Sequence, residues 1–185
     1  MNKIVDLSKS IFQTQRLLLR PWTMEDLEDF YAYARVDGVG EMAGWKHHES
    51  LEDTKRILEF FISGKKTLAV EYHGKVIGSL GVDRYNDYEF QELEEWMGRE
   101  IGFVLAKDYW GQGLMLEAIE RILTYLFLEE DLDFVLCSHF QWNKQSKRVQ
   151  EKAGFRFYKK RITKNKLGDE ELTLVNILWK KDFQN

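Results

Sequence analysis

The sequence has little that could crosslink or break the chain, with one cysteine and one proline among 185 residues. Cys137 has no partner for an internal disulfide, and the apolar residues before it predict a buried side chain rather than a reactive thiol. No segment approaches the roughly 18 consecutive apolar residues of a membrane span, and residues 1–15 lack the apolar stretch of a signal peptide. We therefore expect a cytoplasmic protein without redox chemistry.

A net basic charge is also missing. The 31 acidic and 27 basic side chains give a formal charge of -4, whereas nucleic-acid-binding domains usually carry a basic footprint. Nucleic acid is therefore not expected as a partner. Residues 83–95 carry six carboxylates, and residues 144–166 are predominantly basic. These segments suit a cationic acceptor and phosphates respectively, but either is equally explained as a solvated face.

Repeats, low-complexity tracts and linkers are absent as well, so residues 1–185 are predicted to form a single domain. The 44% hydrophobic content suffices for one substantial core. Hydrophobic patterning predicts alternating strands and helices, and hence an α/β fold with a mixed sheet flanked by helices. The expected strands are residues 16–20, 67–72, 75–82, 99–106, 134–140, 155–164 and 171–179.

Four helices are expected between these strands. Thr23 with Asp26, and Ser50 with Asp53, have the spacing of capping boxes at the starts of the first two. The apolar face of the first helix is expected to comprise Leu27, Phe30, Tyr31 and Ala34, and that of the second Leu51, Leu58, Phe61 and Ile62. The third is a core helix with Met115, Ala118, Ile119, Ile122, Leu123 and Leu126 on its apolar face, and the fourth spans residues 144–153. His73 and Gly74 predict a tight hairpin turn between two strands.

Two glycines stand at the corner between the strand at residues 99–106 and the core helix. Gly111 and Gly113 allow the backbone to approach a ligand closely, and the free N–H groups at a helix start suit a pyrophosphate. The same glycines are also explained by a tight corner alone. Leu114 and Met115 follow where a P-loop requires Lys and Ser or Thr, and the third glycine of a dinucleotide fingerprint is missing.

Two motifs in this order resemble the acetyl-CoA site of the GNAT superfamily, and specifically its RimJ/RimL-like branch, which includes ribosomal-protein N-terminal acetyltransferases. They are YWGQGLMLEA at residues 109–118 and NKQSKRVQEKAGF at residues 143–155. GWKHHESLEDTKRIL, at residues 44–58, also resembles the early helical region of that branch, so the resemblance extends from Arg16 to the C-terminus. It implies a GNAT-like acyl-CoA N-acyltransferase fold, with a central, mostly antiparallel sheet flanked by helices.

The resemblance also implies an enzyme that transfers acetyl from acetyl-CoA to a primary amine. A protein or peptide N-terminal α-amine is the expected acceptor. A small-molecule acetyltransferase acting on a polyamine or an aminoglycoside, and a non-catalytic acyl-CoA-binding protein, remain as alternatives. We expect a monomer or homodimer that does not bind a membrane.

The resemblance assigns most of the expected site to cofactor binding. The superfamily pattern Gln/Arg-x-x-Gly-x-Gly/Ala falls on residues 110–115, with Trp110 and Met115 departing from it. Backbone groups of the strand are expected to bind the pantetheine arm, and the turn the pyrophosphate. The predicted cofactor-binding residues are Phe103, Val104, Leu105, Trp110, Gly111, Gln112, Gly113, Leu114, Met115, Asn143, Ser146 and Lys147. Asn143 is equally suited to cap a helix, and Arg148, like Lys147, to lie near the phosphates.

Acetyl transfer further requires a base for the amine and an acid for the departing thiolate. Glu100 is the predicted base, acting directly or through a water, and Ser146 the predicted acid. Glu41, His48 and His139 are weaker candidates for the base. Trp45, His139 and Trp142 are expected to shape the acceptor site. The sequence lacks metal-ligand spacings and a nucleophile motif, so we expect direct transfer without a metal or an acyl-enzyme.

Overall fold

The computed structural model describes residues 1–183 and contains an eight-stranded sheet in the order β1-β2-β3-β4-β5-β6-β8-β7. Its strands are β1 (Phe12–Gln13), β2 (Leu17–Pro21), β3 (Thr67–Tyr72), β4 (Lys75–Asp83), β5 (Gly98–Leu105), β6 (Phe134–Phe140), β7 (Arg156–Lys164) and β8 (Glu170–Trp179). Neighbouring strands are antiparallel except β5 and β6, which are parallel. The predicted mixed, mostly antiparallel sheet is confirmed.

Four α-helices accompany the sheet: α1 (Leu27–Ala34), α2 (Leu51–Gly64), α3 (Leu114–Leu128) and α4 (Lys144–Lys152). α1 and α2 pack against each other and against β4 and β3, whereas α3 contacts β2 and α4, and α4 contacts β6. None of the helices within residues 1–183 combines the length and apolar character needed to cross a bilayer.

Local signals in the sequence set several element boundaries. Ser50 accepts a hydrogen bond from the backbone N–H of Asp53 at 3.1 Å and caps α2, and the Thr23 N–H donates to the Asp26 carboxylate at 2.8 Å. His73 and Gly74 adopt φ values of 51° and 76°, which suit the central residues of a type I′ turn between β3 and β4. The predicted caps and hairpin are therefore confirmed.

The apolar faces of the helices agree with the sequence except at two positions. All six residues predicted on the core face of α3 are buried, and Cys137 is buried as expected. Tyr31 is only half-buried and Tyr33 is buried instead, because α1 directs Phe30, Tyr33 and Ala34 inward. Leu51 is 37% exposed because it is the first residue of α2 and lies beyond the part of the helix that is packed.

The parallel pair at the centre of the sheet opens along its length. β5 and β6 pair from Gly98 with Phe134 to Ile101 with Cys137, and both strands then continue beyond the pairing. The free stretches that follow, residues 102–105 and 138–140, line one cavity. The sheet therefore contains an opening directly ahead of α3 and α4, and the edges of β5 and β6 that face this opening are not paired with each other.

Candidate active site

A cavity of about 610 Å³ occupies this opening and extends to the starts of two helices. Its walls come from the ends of β5 and β6, the turn before α3, one face of α4, the loop between α1 and α2, and the hairpin of β7 and β8. The cavity therefore joins the predicted cofactor segments to a separate region at the other end. That region is lined by Val39, Met42, Ala43, Ser138, His139, Arg161, Thr163 and Thr173.

The turn before α3 has the geometry of an anion site. Gly111 and Gly113 have φ values of 75° and 76°, which L-residues rarely adopt. The first helical hydrogen bond joins the Glu117 N–H to the Gly113 carbonyl at 3.1 Å, so the N–H groups at residues 114–116 precede it and are free for a ligand. Arg16 braces the turn from outside, donating to the Gln112 carbonyl at 3.1 Å and to the Glu117 carboxylate at 2.7 Å.

Positive charge reaches the cavity from one face of α4. Lys144, Arg148 and Lys152 follow the i, i+4 spacing that places side chains on one helical face, and all three line the cavity. Lys147, which the resemblance suggested, lies outside the lining and pairs with Glu151 at 3.6 Å. The helical spacing was the signal that sequence reasoning missed for Lys144 and Lys152.

The end of β5 is tied to the turn by a tryptophan. Phe103, Val104 and Leu105, the strand residues predicted to bind the cofactor, line the cavity, and the Trp110 Nε1 donates to the Leu105 carbonyl at 2.7 Å. The Leu105 carbonyl is therefore already bonded. Because this stretch also pairs with β4, only its backbone groups on the edge that faces the opening are left for a pantetheine arm. Trp110 serves here as a brace between strand and turn.

Asn143 uses both ends of its side-chain amide within the protein. Its Oδ1 accepts from the Ser146 N–H at 3.0 Å and caps α4, while its Nδ2 donates to the Met42 carbonyl at 3.0 Å. The residue is 4% exposed. It therefore links the cofactor helix to the loop that lines the other end of the cavity, a role that sequence reasoning did not identify.

Replacing Asn143 with aspartate should separate these two functions. Aspartate keeps the capping oxygen but loses the donor to Met42, so the loop should lose one hydrogen bond of about 1 kcal/mol. We expect acetyl-CoA affinity within about threefold of wild type and an acceptor KM about fivefold higher, measured by calorimetry and steady-state kinetics. Asn143→Ala, which removes both bonds, should in addition lower Tm. An unchanged acceptor KM for Asn143→Asp would contradict the tethering role.

Ser146 lines the cavity with its hydroxyl oriented by a buried glutamine. Gln150 donates to the Ser146 Oγ at 3.0 Å and to the Ser138 carbonyl at 3.1 Å, and its own carbonyl accepts from Asn176 at 2.7 Å. Because Gln150 occupies a lone pair of Ser146, the serine proton is free to act as a donor. This arrangement fits the predicted role of Ser146 as an acid.

Glu100 lies behind the cavity wall in a compact polar cluster. Its Oε1 accepts from the Ser138 Oγ at 2.6 Å and from the Arg161 Nη2 at 3.0 Å. Arg161 also contacts the Ser138 Oγ at 3.1 Å and pairs with Glu89 at 3.3 Å. Ser138 and Arg161 line the cavity, whereas Glu100 is outside the lining. Access from the cavity to this carboxylate therefore passes through its two partners.

Two of the weaker candidates for the base are engaged elsewhere. The Glu41 carboxylate accepts from Gly38 N–H at 2.9 Å and from His47 Nδ1 at 3.0 Å. Burial raises the pKa of Glu41, but its hydrogen bonds outweigh burial, so the pKa is lowered overall. His48 bonds to Thr54 at 2.9 Å, and burial lowers its pKa. Both residues lie outside the cavity lining. Asp37, Glu41 and His47 bring possible ligand atoms within 4.8 Å of one another, also outside the cavity.

His139 does line the cavity and is held in one tautomer. Its Nδ1 lies 2.8 Å from the Phe140 carbonyl, so Nδ1 carries the proton and Nε2 the lone pair. Burial lowers the pKa of His139, in part offset by the Phe140 carbonyl, so the ring is neutral at pH 7. A neutral imidazole in this position can accept a hydrogen bond from an amine.

The two tryptophans predicted near the acceptor lie outside the cavity. Trp142 is 48% exposed, stacks on Phe140 with ring centroids 5.5 Å apart, and donates to Glu171 at 3.0 Å. Trp45 packs beside His48 with ring centroids 5.1 Å apart. Near the end of the cavity away from α3, a backbone bond from Lys166 N–H to the Gly44 carbonyl at 2.8 Å joins the β7–β8 turn to the loop. Thr163 and Thr173 line the cavity because this hairpin, which is distant in sequence, folds against it, so sequence reasoning did not identify them.

The acidic segment at residues 83–95 is largely neutralised by neighbouring cations. Glu92 pairs with Lys159 at 3.1 Å and Glu89 with Arg161 at 3.3 Å. Asp83 and Asp87 pair with Lys66 and Arg84, at 2.5 and 3.3 Å. The segment therefore packs against β7 and has few carboxylates left to attract a polycation.

Comparison with known proteins shows the family. A model of the acetyltransferase (GNAT) domain matches residues 16–156. The uncharacterized N-acetyltransferase YoaA of Bacillus subtilis is 30% identical over 152 residues, which cover 78% of this chain and 82% of YoaA. The chain belongs to the GNAT acetyltransferase family, and it is an acetyl-CoA-dependent acetyltransferase.

Solved structures of the family share the fold. The ribosomal-protein-S5-alanine acetyltransferase from Vibrio fischeri has a TM-score of 0.70 at 17% identity, over 95% of this chain and 99% of that one. The microcin C7 self-immunity acetyltransferase MccE, in complex with acetyl-CoA and AMP, has a TM-score of 0.72 at 15% identity, over 89% and 93%. The family match confirms the GNAT resemblance, and a ribosomal-protein acetyltransferase among the structural neighbours fits the RimJ/RimL-like branch.

Proposed function

We propose that this acetyltransferase acts on the N-terminal α-amine of a protein or peptide. The observation that carries the proposal is a continuous cavity that extends from the anion site at the start of α3 to Ser138 and Arg161, the two residues bonded to Glu100. An acetyl donor bound along the first part would present its thioester to an amine entering from the second.

The acceptor class is supported by charge and by acidity. Four of the six carboxylates at residues 83–95 pair with cations, two of them on β7, which reduces the negative charge that would favour a polyamine or an aminoglycoside. An α-amine has a pKa near 7.7 to 8.0, so about a tenth or more is free base at pH 7, compared with under about a thousandth of lysine. The Vibrio fischeri neighbour is named for a ribosomal protein, which agrees with this class.

The proposed reaction is a direct transfer. The amine nitrogen attacks the thioester carbonyl carbon, its excess proton passes toward Glu100, and the C–S bond breaks with its electron pair leaving on the sulfur. Ser146 would donate a hydrogen bond to the departing thiolate. Lys144, Arg148 and Lys152 would pair with the phosphates of coenzyme A, together with the free N–H groups of α3. His139 would orient the amine through its Nε2.

The proposal is tested by incubating the protein with acetyl-CoA and a panel of amines while free thiol is followed. We expect turnover on peptides with a free N-terminus, little on the same peptides with a blocked N-terminus, and no loss of rate in a chelator. Turnover confined to polyamines or aminoglycosides would overturn the acceptor class. Binding of acetyl-CoA without turnover on any amine would indicate a non-catalytic acyl-CoA-binding protein.

A further inference from the structure

Ser138 stands between the cavity and the predicted base. It follows Cys137, the last residue of β6 paired with β5, and therefore lies at the wall of the opening. Glu100 in β5 pairs with Leu136, and because side chains two residues apart share a face of a strand, Glu100 and Ser138 lie on the same face of adjacent strands. This register produces the 2.6 Å hydrogen bond between them.

Arg161 determines which group donates in this cluster. A guanidinium only donates, so the Ser138 Oγ accepts the bond from Arg161 Nη2 at 3.1 Å, and Glu100 Oε1 accepts another at 3.0 Å. The serine hydrogen must then point to the Glu100 carboxylate. One lone pair of the Ser138 oxygen is left after these two bonds, and it is the pair available on the cavity side.

We propose that Ser138 is a catalytic residue that relays the proton from the acceptor amine to Glu100. As the new C–N bond forms, the amine gives its proton to the Ser138 Oγ while the serine gives its own proton to Glu100 Oε1. Ser138 therefore ends with one proton as before, Glu100 gains one, and the C–S electron pair leaves with the sulfur. The relay rests on the proposed function, and it takes the place of the direct transfer or the bridging water that the sequence prediction allowed.

The arrangement gives Arg161 a second part in the relay. Before transfer, Arg161 and its two carboxylates, Glu89 and Glu100, carry a net charge of -1. The serine oxygen gains positive charge when it receives the amine proton. Proton transfer to Glu100 brings that net charge to zero. The cluster therefore receives the proton without accumulating positive charge.

The test compares Ser138→Ala, Glu100→Gln and the double variant, using one peptide acceptor over a pH series. Ser138→Ala should lower kcat about tenfold at pH 7, since removing a positioned proton-transfer group costs at least that much, with acetyl-CoA affinity within about threefold of wild type. The deficit should shrink as pH rises toward the pKa of the acceptor. Ser138→Thr, which keeps a hydroxyl, should recover most of the loss, a rescue that a purely structural role would not predict.

The double variant decides whether the two groups act in one path. If they do, Ser138→Ala/Glu100→Gln should have a kcat within about threefold of Glu100→Gln alone, because the relay has no acceptor in either protein. A tenfold further loss, or a Ser138→Ala enzyme within about threefold of wild type, would overturn the relay. If Glu100→Gln is slow but Ser138→Ala is normal, Glu100 is the base and Ser138 does not relay the proton. If wild type itself acetylates none of the amines, the proposed function is wrong, and this failure is distinct from that of the relay.

Discussion

Gly113→Val should weaken acetyl-CoA binding by more than tenfold, which corresponds to about 1.4 kcal/mol. Gly113 adopts a φ of 76°, a conformation that costs an L-residue with a branched side chain of order 1 to 3 kcal/mol. The turn would relax away from this geometry, and the N–H groups at the start of α3 would lose their common direction toward the phosphates. A Cβ at this position meets only Arg16, with its Nη2 at 3.7 Å, so the expected effect comes from the backbone and not from a clash.

Gly74→Val is the matched control for this variant. Gly74 has the same φ of 76°, and a Cβ there meets no atom within 4 Å among the described residues, but it lies in the turn between β3 and β4. Both variants should lose a similar amount of stability in thermal unfolding, and only Gly113→Val should lose affinity in calorimetric titration. Equal affinities in the two folded variants would show that the glycines serve the corner alone.

The cofactor half of the site was accessible from the sequence because it is local. Gly111 and Gly113 lie within one turn, and the helix that follows starts at the next residue, so a short motif carries both the conformation and the free N–H groups. The cap of α4 by Asn143 was accessible for the same reason. Of the predicted cofactor residues, Gln112 and Lys147 lie outside the cavity lining. A single position in the sequence does not reveal where a turn residue points or which face of a helix meets the cavity.

The acceptor half was less accessible because it is assembled from distant strands. Ser138 and Arg161 are 23 residues apart and meet only because β6 and β7 both flank β8. Aromatic residues attracted attention in the sequence, yet Trp142 stacks on Phe140 at the surface. The acidic segment looked like a surface for cations until its partners on β7, Lys159 and Arg161, were placed beside it. Charge patterns along a chain do not reveal which charges neutralise one another after folding.

Glu100→Gln should lower kcat by about 10² to 10⁴ at pH 7 and leave acetyl-CoA affinity nearly unchanged. Glutamine retains the size of the side chain and an oxygen that can accept from Ser138 and Arg161, but it cannot take up a proton. The amine must then lose its proton to solvent. The deficit should therefore shrink as pH rises toward the pKa of the acceptor, near 7.7 to 8.0 for an α-amine, because solution then supplies more free base.

Glu89→Gln is the matched control, since Glu89 is the other carboxylate on Arg161 and lies outside the cavity lining. Each variant removes one of the two ion pairs of Arg161, so a change that follows only from the loss of an ion pair should appear in both proteins. Because Glu89→Gln leaves the cluster with a net positive charge after proton transfer, we expect its kcat/KM to fall by up to about tenfold, and that of Glu100→Gln to fall at least about tenfold further at pH 7. Should Glu100→Gln remain within about threefold of wild type at pH 7, Glu100 is not the base. His139, which lines the cavity, would then be the next candidate for the base.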